Sequence, residues 1–301
     1  MVNSISLQIF KNLFISIAEE MGVTLGRTAY SPNIKERLDY SCAVFDKHGQ
    51  MIAQAAHIPV HLGSMSSSIE QAIKNQHCFD GDIIILNDPY LGGTHLPDIT
   101  LVAPIYINNS LEGFIANRGH HADIGGMTPG SLPLSTDVHQ EGLIIPPIKL
   151  YSKGVLNEDV FQLICRNSRT PGERRGDLSA QIASIRTGEI RMKDVIAKYG
   201  IHEVVEHMDA LMNYSEVLMK KTISDIPNGK YSYTDFMDDD GISSDKIPIS
   251  VNITVNNNNV IVDFTGTSDQ RYGCVNTPYA VARSATLYVF NCLAGQENIP
   301  S

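Results

Sequence analysis

Two short segments of this 301-residue chain combine histidine, aspartate and glycine in the same pattern. The first contains His95 and Asp98 and the second contains His120 and Asp123, so each pair has the spacing His-x-x-Asp. Imidazole and carboxylate groups together suit borderline or hard divalent ions such as zinc, iron or manganese. A Gly-Gly pair beside each segment permits the sharp turns that aim several ligands at one point. The pattern therefore predicts a divalent metal site.

A simpler interpretation competes with the metal site. A single His-x-x-Asp pair is more often a hydrogen-bonded loop than a pair of ligands. Two such pairs, each following an expected strand, favour the metal because strand-end loops are where folds place functional groups. His139, in segment 136–142, could complete the ligand set.

Other segments resemble catalytic or nucleotide-binding motifs but lack the spacing or the residues that those motifs require. His202 and His207 are five residues apart, which is about 140° around a helix, whereas the zinc-protease motif needs a shared face. We expect a solvated helical stretch there. Ser64 lacks the second glycine of a serine-hydrolase elbow. Neither GxGxxG nor GxxxxGK(S/T) occurs, so the sequence contains no recognisable dinucleotide or ATP motif.

Basic residues gather in two segments that we expect to be irregular loops. Arg27 and Arg37 bound the first, and Arg169 lies in the second, at 166–177. In an acidic protein each segment could bind a substrate anion or dock a partner subunit. Solvated loops with internal ion pairs are an equally good explanation.

Composition narrows the class of protein. The chain has 33 acidic against 23 basic side chains and a net charge of −10, which disfavours binding to nucleic acid. Five scattered cysteines without a CxxC motif suggest neither a disulfide framework nor a thiolate zinc site. The first residues do not resemble a signal peptide, and no apolar run reaches the ~18 residues that span a bilayer. We therefore expect a cytoplasmic protein without a membrane association.

Hydrophobic periodicity predicts a mixed α/β fold with strands in both halves. We expect an amino-terminal α/β body that carries the metal-binding strand-end loops, then a helical segment, then a β-rich unit, with domains at 1–226 and 227–301. The closing apolar run looks unfinished, so the polypeptide is expected to continue. Predicted helices cover 5–22, 64–75, 157–165, 176–218 and 280–293, and predicted strands cover 40–53 as a hairpin, 82–86, 99–107, 111–117, 229–237, 247–255 and 260–264.

The chain resembles the hydantoinase B/5-oxoprolinase family, whose relatives include the large subunits of acetone and acetophenone carboxylases. The resemblance covers most of the chain and is carried, in order, by GRTAYSP at 26–32, SCA at 41–43, HIPVHLGSM at 57–65, NDPY at 87–90, GHHADIGG at 119–126, EGL at 141–143, PP at 146–147 and GDLSAQ at 176–181.

This resemblance implies a subunit of an ATP-dependent hydrolase that opens the cyclic amide of 5-oxoproline or N-methylhydantoin. A hydantoinase A-like partner would bind ATP and magnesium. A ketone carboxylase subunit and a non-catalytic or incomplete subunit are the alternatives. By position in the motifs, the resemblance places the manganese, zinc or iron ligands on Asp98, His120, Asp123 and His139, with His95, His121 and Asp88 in reserve. His121 or His95 would be the general base.

Overall fold

The computed structural model describes residues 2–55 and 58–295, except for the side chain of Leu62. Within these residues the chain forms seven α-helices and ten β-strands, arranged in two sheets. The mixed α/β class predicted from the sequence is confirmed. His57, which opens one of the family-like segments, lies outside the described residues.

The elements follow one another along the chain as seven helices and ten strands. The helices are α1 (Ser4–Thr28), α2 (Pro32–Lys35), α3 (His61–Asn75), α4 (Glu158–Arg166), α5 (Pro171–Tyr199), α6 (Ile201–Ser224) and α7 (Tyr279–Ala294). The strands are β1 (Tyr40–Asp46), β2 (Met51–Gln54), β3 (Ile83–Leu86), β4 (Asp98–Ile107), β5 (Ser110–His120), β6 (Ile148–Ser152), β7 (Val155–Leu156), β8 (Gly229–Met237), β9 (Ile247–Asn256) and β10 (Asn259–Asp263).

The larger sheet is antiparallel and has the strand order β2-β1-β5-β4-β3-β6-β7. Its two central strands, β4 and β5, are joined by a tight turn at Asn108 and Asn109. Both residues have positive φ, 51° and 65°, which asparagine tolerates and which matches the twist of a hairpin. The register then shifts by one residue between Ile105 and Tyr106. The turn and this irregularity together place Asp98, at the start of β4, opposite His120 at the end of β5.

Side chains of the larger sheet alternate between two covered faces. One, the α3 face, packs Phe114 and Ala116 of β5 against Met65 and Ile69 of α3. The other, the α5 face, packs residues such as Ile115 against α1 and α5. The sheet is thus the middle of three layers, and consecutive residues of a strand belong to different cores.

The first helix is longer than predicted. Gly22 does not end it, since α1 continues to Thr28, where the backbone N–H of Ala29 donates to the carbonyl of Leu25. The predicted apolar stripe also does not stay on one side of the helix. Residues four apart are displaced by about 40° around the helix axis at each step. Ile5 is therefore exposed, while Met21 is buried in the core.

The predicted helix over 176–218 is also corrected. Segment 166–177 is not an irregular loop throughout, because α5 begins at Pro171, and proline is well suited to a first helical position. Gly200, with φ of 84°, then separates α5 from α6. His207 is buried and stacks on the Phe10 ring at 3.9 Å, so this part of α6 is not the solvated stretch we expected. In the first basic segment, Pro32–Lys35 forms α2.

The small sheet has the strand order β10-β9-β8, and α7 follows it and packs against α3. Ser284 Oγ of α7 accepts hydrogen bonds from the backbone N–H groups of Gly63 and Ser64, at 3.1 and 2.9 Å. These groups lie in the first turn of α3, where a helix has no partners of its own. At Gly63 a Cβ would lie 2.9 Å from Leu287 Cδ1, so glycine permits the two helices to approach.

None of the helices in the described part of the chain combines the length and hydrophobicity that crossing a bilayer requires.

A pair of glycine substitutions in α5 tests the packing of this helix on the sheet. At Gly188 a Cβ would lie 2.5 Å from Met21 Sδ and 2.7 Å from Ile115 Cγ2, so Gly188→Ala should lower the free energy of unfolding by about 1–3 kcal/mol. At Gly172 a Cβ would meet nothing within 4 Å, so Gly172→Ala should raise it by up to ~1 kcal/mol. Urea unfolding followed by circular dichroism measures both changes. If both substitutions changed the free energy of unfolding in the same direction, this packing would be contradicted.

Candidate metal centre

The paired ends of β4 and β5 bring three potential ligands together. Asp98 Oδ1 lies 3.0 Å from His95 Nε2 and 3.1 Å from His120 Nδ1. The two imidazole nitrogens are 3.2 Å apart. Asp98 and His120 face each other across the hairpin, and His95 reaches them from the loop that precedes β4. The strand register therefore assembles two imidazoles and one carboxylate.

These separations fit adjacent ligands of one divalent ion. With metal–ligand bonds of about 2.1 Å, donors at right angles around the metal lie about 3.0 Å apart. Among the described residues, His95, Asp98 and His120 are the group of histidine, cysteine and acidic side chains that converges closely enough to hold a metal. Two imidazoles and a carboxylate suit zinc, iron or manganese. The His95 side chain is 30% exposed, so solvent reaches the cluster from its side.

The second oxygen of Asp98 has partners of its own. Asp98 Oδ2 accepts a hydrogen bond from the Thr94 hydroxyl and lies 3.4 Å from His61 Nε2. Burial alone would raise the pKa of Asp98, but hydrogen bonds from His120, His61 and His95 hold it well below its usual range. The carboxylate is therefore ionised at neutral pH and offers the negative charge that a cation requires.

The histidines around Asp98 respond to it in different ways. Burial lowers the pKa of His61, and its interactions with Asp98 do not fully reverse that effect. Burial would also lower the pKa of His95, but the hydrogen bond to Asp98 and the charge of that carboxylate raise it above its usual value. In the absence of a cation, Asp98 thus holds a proton on His95 more strongly than on His61.

A buried arginine, Arg118, lies on the α3 face of the sheet, as the cluster does. Arg118 donates to Thr100 Oγ1 of β4 at 2.8 Å, and to Ser64 Oγ and Ser68 Oγ of α3 at 2.6 and 2.8 Å. Burial lowers its pKa to about 10, although the Asp98 charge opposes this shift. Arg118 therefore remains a cation at neutral pH, and it ties α3 to the sheet.

His121 lies on the α5 face, away from its neighbour His120. Its Nε2 is 2.8 Å from Gln181 Oε1, and its Nδ1 accepts a hydrogen bond from Arg174. Burial, and then the Arg174 charge, hold the pKa of His121 well below its usual value. Gln181 also donates to the carbonyl of Ile99, so this network attaches α5 to the strands that carry the cluster.

Three other predicted residues lie outside the cluster. Asp123 is paired with Arg169, whose Nη1 donates to Oδ1 at 2.9 Å and whose backbone N–H donates to Oδ2 at 2.7 Å. His139 is exposed on a turn of 3-10 helix, and Asp88 accepts a hydrogen bond from the Tyr90 N–H at 2.9 Å. As metal ligands, Asp123 and His139 remain predictions from the sequence.

The basic segments meet at the start of α5. Asp177 Oδ1 accepts hydrogen bonds from the N–H groups of Tyr30 and Ser31, at 2.8 and 2.9 Å. Arg27 and Arg37 are both exposed. A cavity at this junction is lined by Thr28, Tyr30, Gly172, Arg175, Gly176, Ser179 and Ala180, and thus by none of the three clustered ligands.

Sequence reasoning missed His61 as a member of the site. The predicted helix began at Ser64, three residues after the true start of α3, which placed His61 in a loop. Its only signal was its position within the family-like segment 57–65.

The chain is similar to known proteins in both sequence and fold. A family model described as Hydantoinase B/oxoprolinase matches residues 3–301. The chain is 37% identical to 5-oxoprolinase 1 of Arabidopsis thaliana, over 96% of this chain and 25% of that protein. Its fold matches an ATP-dependent caprolactamase from Pseudomonas jessenii with a TM-score of 0.92 and 27% identity, over 100% of this chain and 52% of that one.

A second solved structure shares the fold at lower identity. The nucleotide-free acetone carboxylase matches with a TM-score of 0.86 and 19% identity, over 97% of this chain and 41% of that one. At this identity the likeness shows the fold alone. The chain spans between about a quarter and about half of the length of the curated relatives that it matches.

Metal content tests which side chains hold the ion. Replacing His95, Asp98 or His120 with alanine should remove a bound metal, since each donor atom lies within 3.2 Å of the other two. His139→Ala is the matched control and should retain it, because this exposed side chain is outside the cluster. Elemental analysis after dialysis measures the metal, and melting curves report the fold. Unchanged metal in the His120→Ala variant would refute the centre.

Proposed function

The chain belongs to the hydantoinase B/oxoprolinase family, and we propose that it carries the metal-binding part of an ATP-dependent enzyme that opens a cyclic amide such as 5-oxoproline or a hydantoin. The observation that carries the proposal is the convergence of His95, Asp98 and His120 at the paired ends of β4 and β5. A ring carbonyl that enters from the exposed side of His95 would reach this cluster first.

The cluster supplies what hydrolysis of a stable amide needs. A divalent ion held by His95, Asp98 and His120 would polarise the substrate carbonyl or acidify a water molecule. The protein keeps Asp98 ionised and buries it at 2% exposure, so its charge acts in a poorly screened environment.

The two histidines that the sequence suggested as general bases have different surroundings. Gln181 and Arg174 occupy both ring nitrogens of His121, which leaves no nitrogen for a substrate. His95 serves as a ligand in this proposal. Asp39 is then the acceptor best placed for a proton, since its Oδ2 lies 4.0 Å from His120 Nδ1 and its side chain is 33% exposed.

ATP would be used on a partner subunit or domain. An unactivated amide is stable, and the solved relatives are described as ATP-dependent. This sequence contains no recognisable phosphate-binding motif. We therefore propose a hydantoinase A-like partner that binds ATP and magnesium, and an activity that belongs to the whole assembly. Five scattered cysteines without a CxxC motif suit a reducing cytoplasm.

Identity favours ring opening over ketone carboxylation. The 5-oxoprolinase relative is 37% identical over nearly the whole chain, whereas the acetone carboxylase is 19% identical. We therefore propose ring opening ahead of carboxylation, since the likeness to the carboxylase supports only the shared fold.

Product analysis on the assembled complex tests the proposal. Given ATP with 5-oxoproline or a hydantoin, the complex should release a ring-opened amino acid and phosphate without consuming bicarbonate. His120→Ala should slow this reaction by roughly a hundred- to several-thousand-fold, because it removes a donor atom from the cluster. His202→Ala, at an exposed position of α6, is the matched control and should leave the rate unchanged.

Two results would count against ring opening. Incorporation of labelled bicarbonate into a keto acid would identify a carboxylase. Full activity in the His120→Ala complex would mean that the subunit acts as a scaffold.

A further inference from the structure

The two oxygens of Asp98 face different groups. Oδ1 points to His95 and His120, the two other potential ligands, at 3.0 and 3.1 Å. Oδ2 points away from them, to the Thr94 hydroxyl and to His61 Nε2. One carboxylate oxygen therefore faces the other potential ligands, and the second contacts Thr94 and His61.

His61 is itself firmly held. It is the first residue of α3, its side chain is 1% exposed, and its Nδ1 lies 2.8 Å from Ser41 Oγ of β1. When the Ser41 hydroxyl donates to Nδ1, the ring hydrogen is on Nε2, the nitrogen that faces Asp98. This tautomer follows from the partners of the two ring nitrogens and gives His61 one donor nitrogen, Nε2, which lies 3.4 Å from Oδ2.

We propose that His61 is a positioning residue: together with Thr94 it engages Oδ2 of Asp98 and leaves Oδ1 as the single carboxylate oxygen offered to a metal ion. The inference rests on the metal site proposed above and deepens it. It predicts that Asp98 binds through one oxygen, and that His61 touches neither the ion nor the substrate.

The physical reason is the freedom of a carboxylate to rotate. Without partners on Oδ2, Asp98 could turn either oxygen, or both, toward a cation, and it would pay an ordering cost when the ion binds. Outer groups that fix a ligand in this way typically contribute 10- to 100-fold in metal affinity. His61 and Thr94 contact Asp98 from α3 and from the loop before β4, and Ser41 of β1 in turn contacts His61, so three separate elements contribute to the orientation of Asp98.

A purely structural role for His61 would be a packing role at the start of α3. Substitutions distinguish the two roles, because the side-chain amide nitrogen of glutamine can take the place of Nε2 as a donor, whereas leucine fills space without one. Thr94→Val and Thr94→Ser form a second such pair, which remains informative if the leucine variant does not fold.

The experiment measures the affinity of the purified full chain for Mn²⁺ alone, by competition with a chromophoric chelator. His61→Leu and Thr94→Val should each weaken binding by about 10- to 100-fold. His61→Gln and Thr94→Ser should stay within about threefold of the unchanged protein. His207→Leu is the matched control for loss of a buried histidine, because His207 contacts the carbonyl of Glu203, Ser6 and the Phe10 ring, none of which belongs to the cluster. It should lower the melting temperature of the metal-free chain without changing the affinity.

The inference is overturned if His61→Leu binds Mn²⁺ as the unchanged protein does, or if His61→Gln is weakened as much as His61→Leu. Asp98→Ala separates this failure from failure of the site. If Asp98→Ala still binds Mn²⁺ normally, the metal centre itself is wrong. If Asp98→Ala loses the ion and His61→Leu does not, the centre stands and only the positioning role is lost.

Discussion

The register of one hairpin brings together the side chains of the candidate metal centre. Asp98 and His120 are opposite each other because β4 and β5 pair across the two-residue turn at Asn108 and Asn109 and shift register by one residue at Ile105 and Tyr106. A slip by one residue would send each side chain of the slipped strand to the other face of the sheet. His120 would then leave Asp98, and Arg118 would lose the hydroxyl groups of α3. The apolar residues of the same strands prevent such a slip, because they fill two different cores.

The end of this hairpin carries several buried polar side chains that bond to the helices on either side of the sheet. On the α3 face, Arg118 and Asp98 bond to hydroxyl and imidazole groups. On the α5 face, His121 bonds to Gln181 and Arg174. A buried polar group left alone costs about 1–3 kcal/mol, so these networks constrain where α3 and α5 can sit. The cluster is therefore positioned from both sides by polar contacts as well as by packing.

The sequence was sufficient to predict the mixed α/β class, most helices and strands, and the two segments that supply the cluster. The sequence did not show which of the predicted site residues lie next to one another in the fold. His120 and His121 could have been assigned to opposite faces by the alternation of a strand, but the predicted strand ended at Asn117, three residues before His120. Asp123 has the same spacing to a histidine as Asp98, and it is distinguished by its pairing with Arg169, a tertiary contact across 46 residues that local pattern does not encode.

The cap that α7 provides for α3 has a consequence for biosynthesis. Ser284 Oγ bonds to the N–H of Ser64 across 220 residues of chain, so the start of α3, which carries His61, is complete only after α7 has been made. At translation rates of about 5–20 residues per second, the ribosome needs roughly 10–40 s to cover that distance. The strands that carry Asp98 and His120 are synthesised well within this interval. The nascent chain thus contains Asp98 and His120 before it contains the residue of α7 that caps the helix carrying His61.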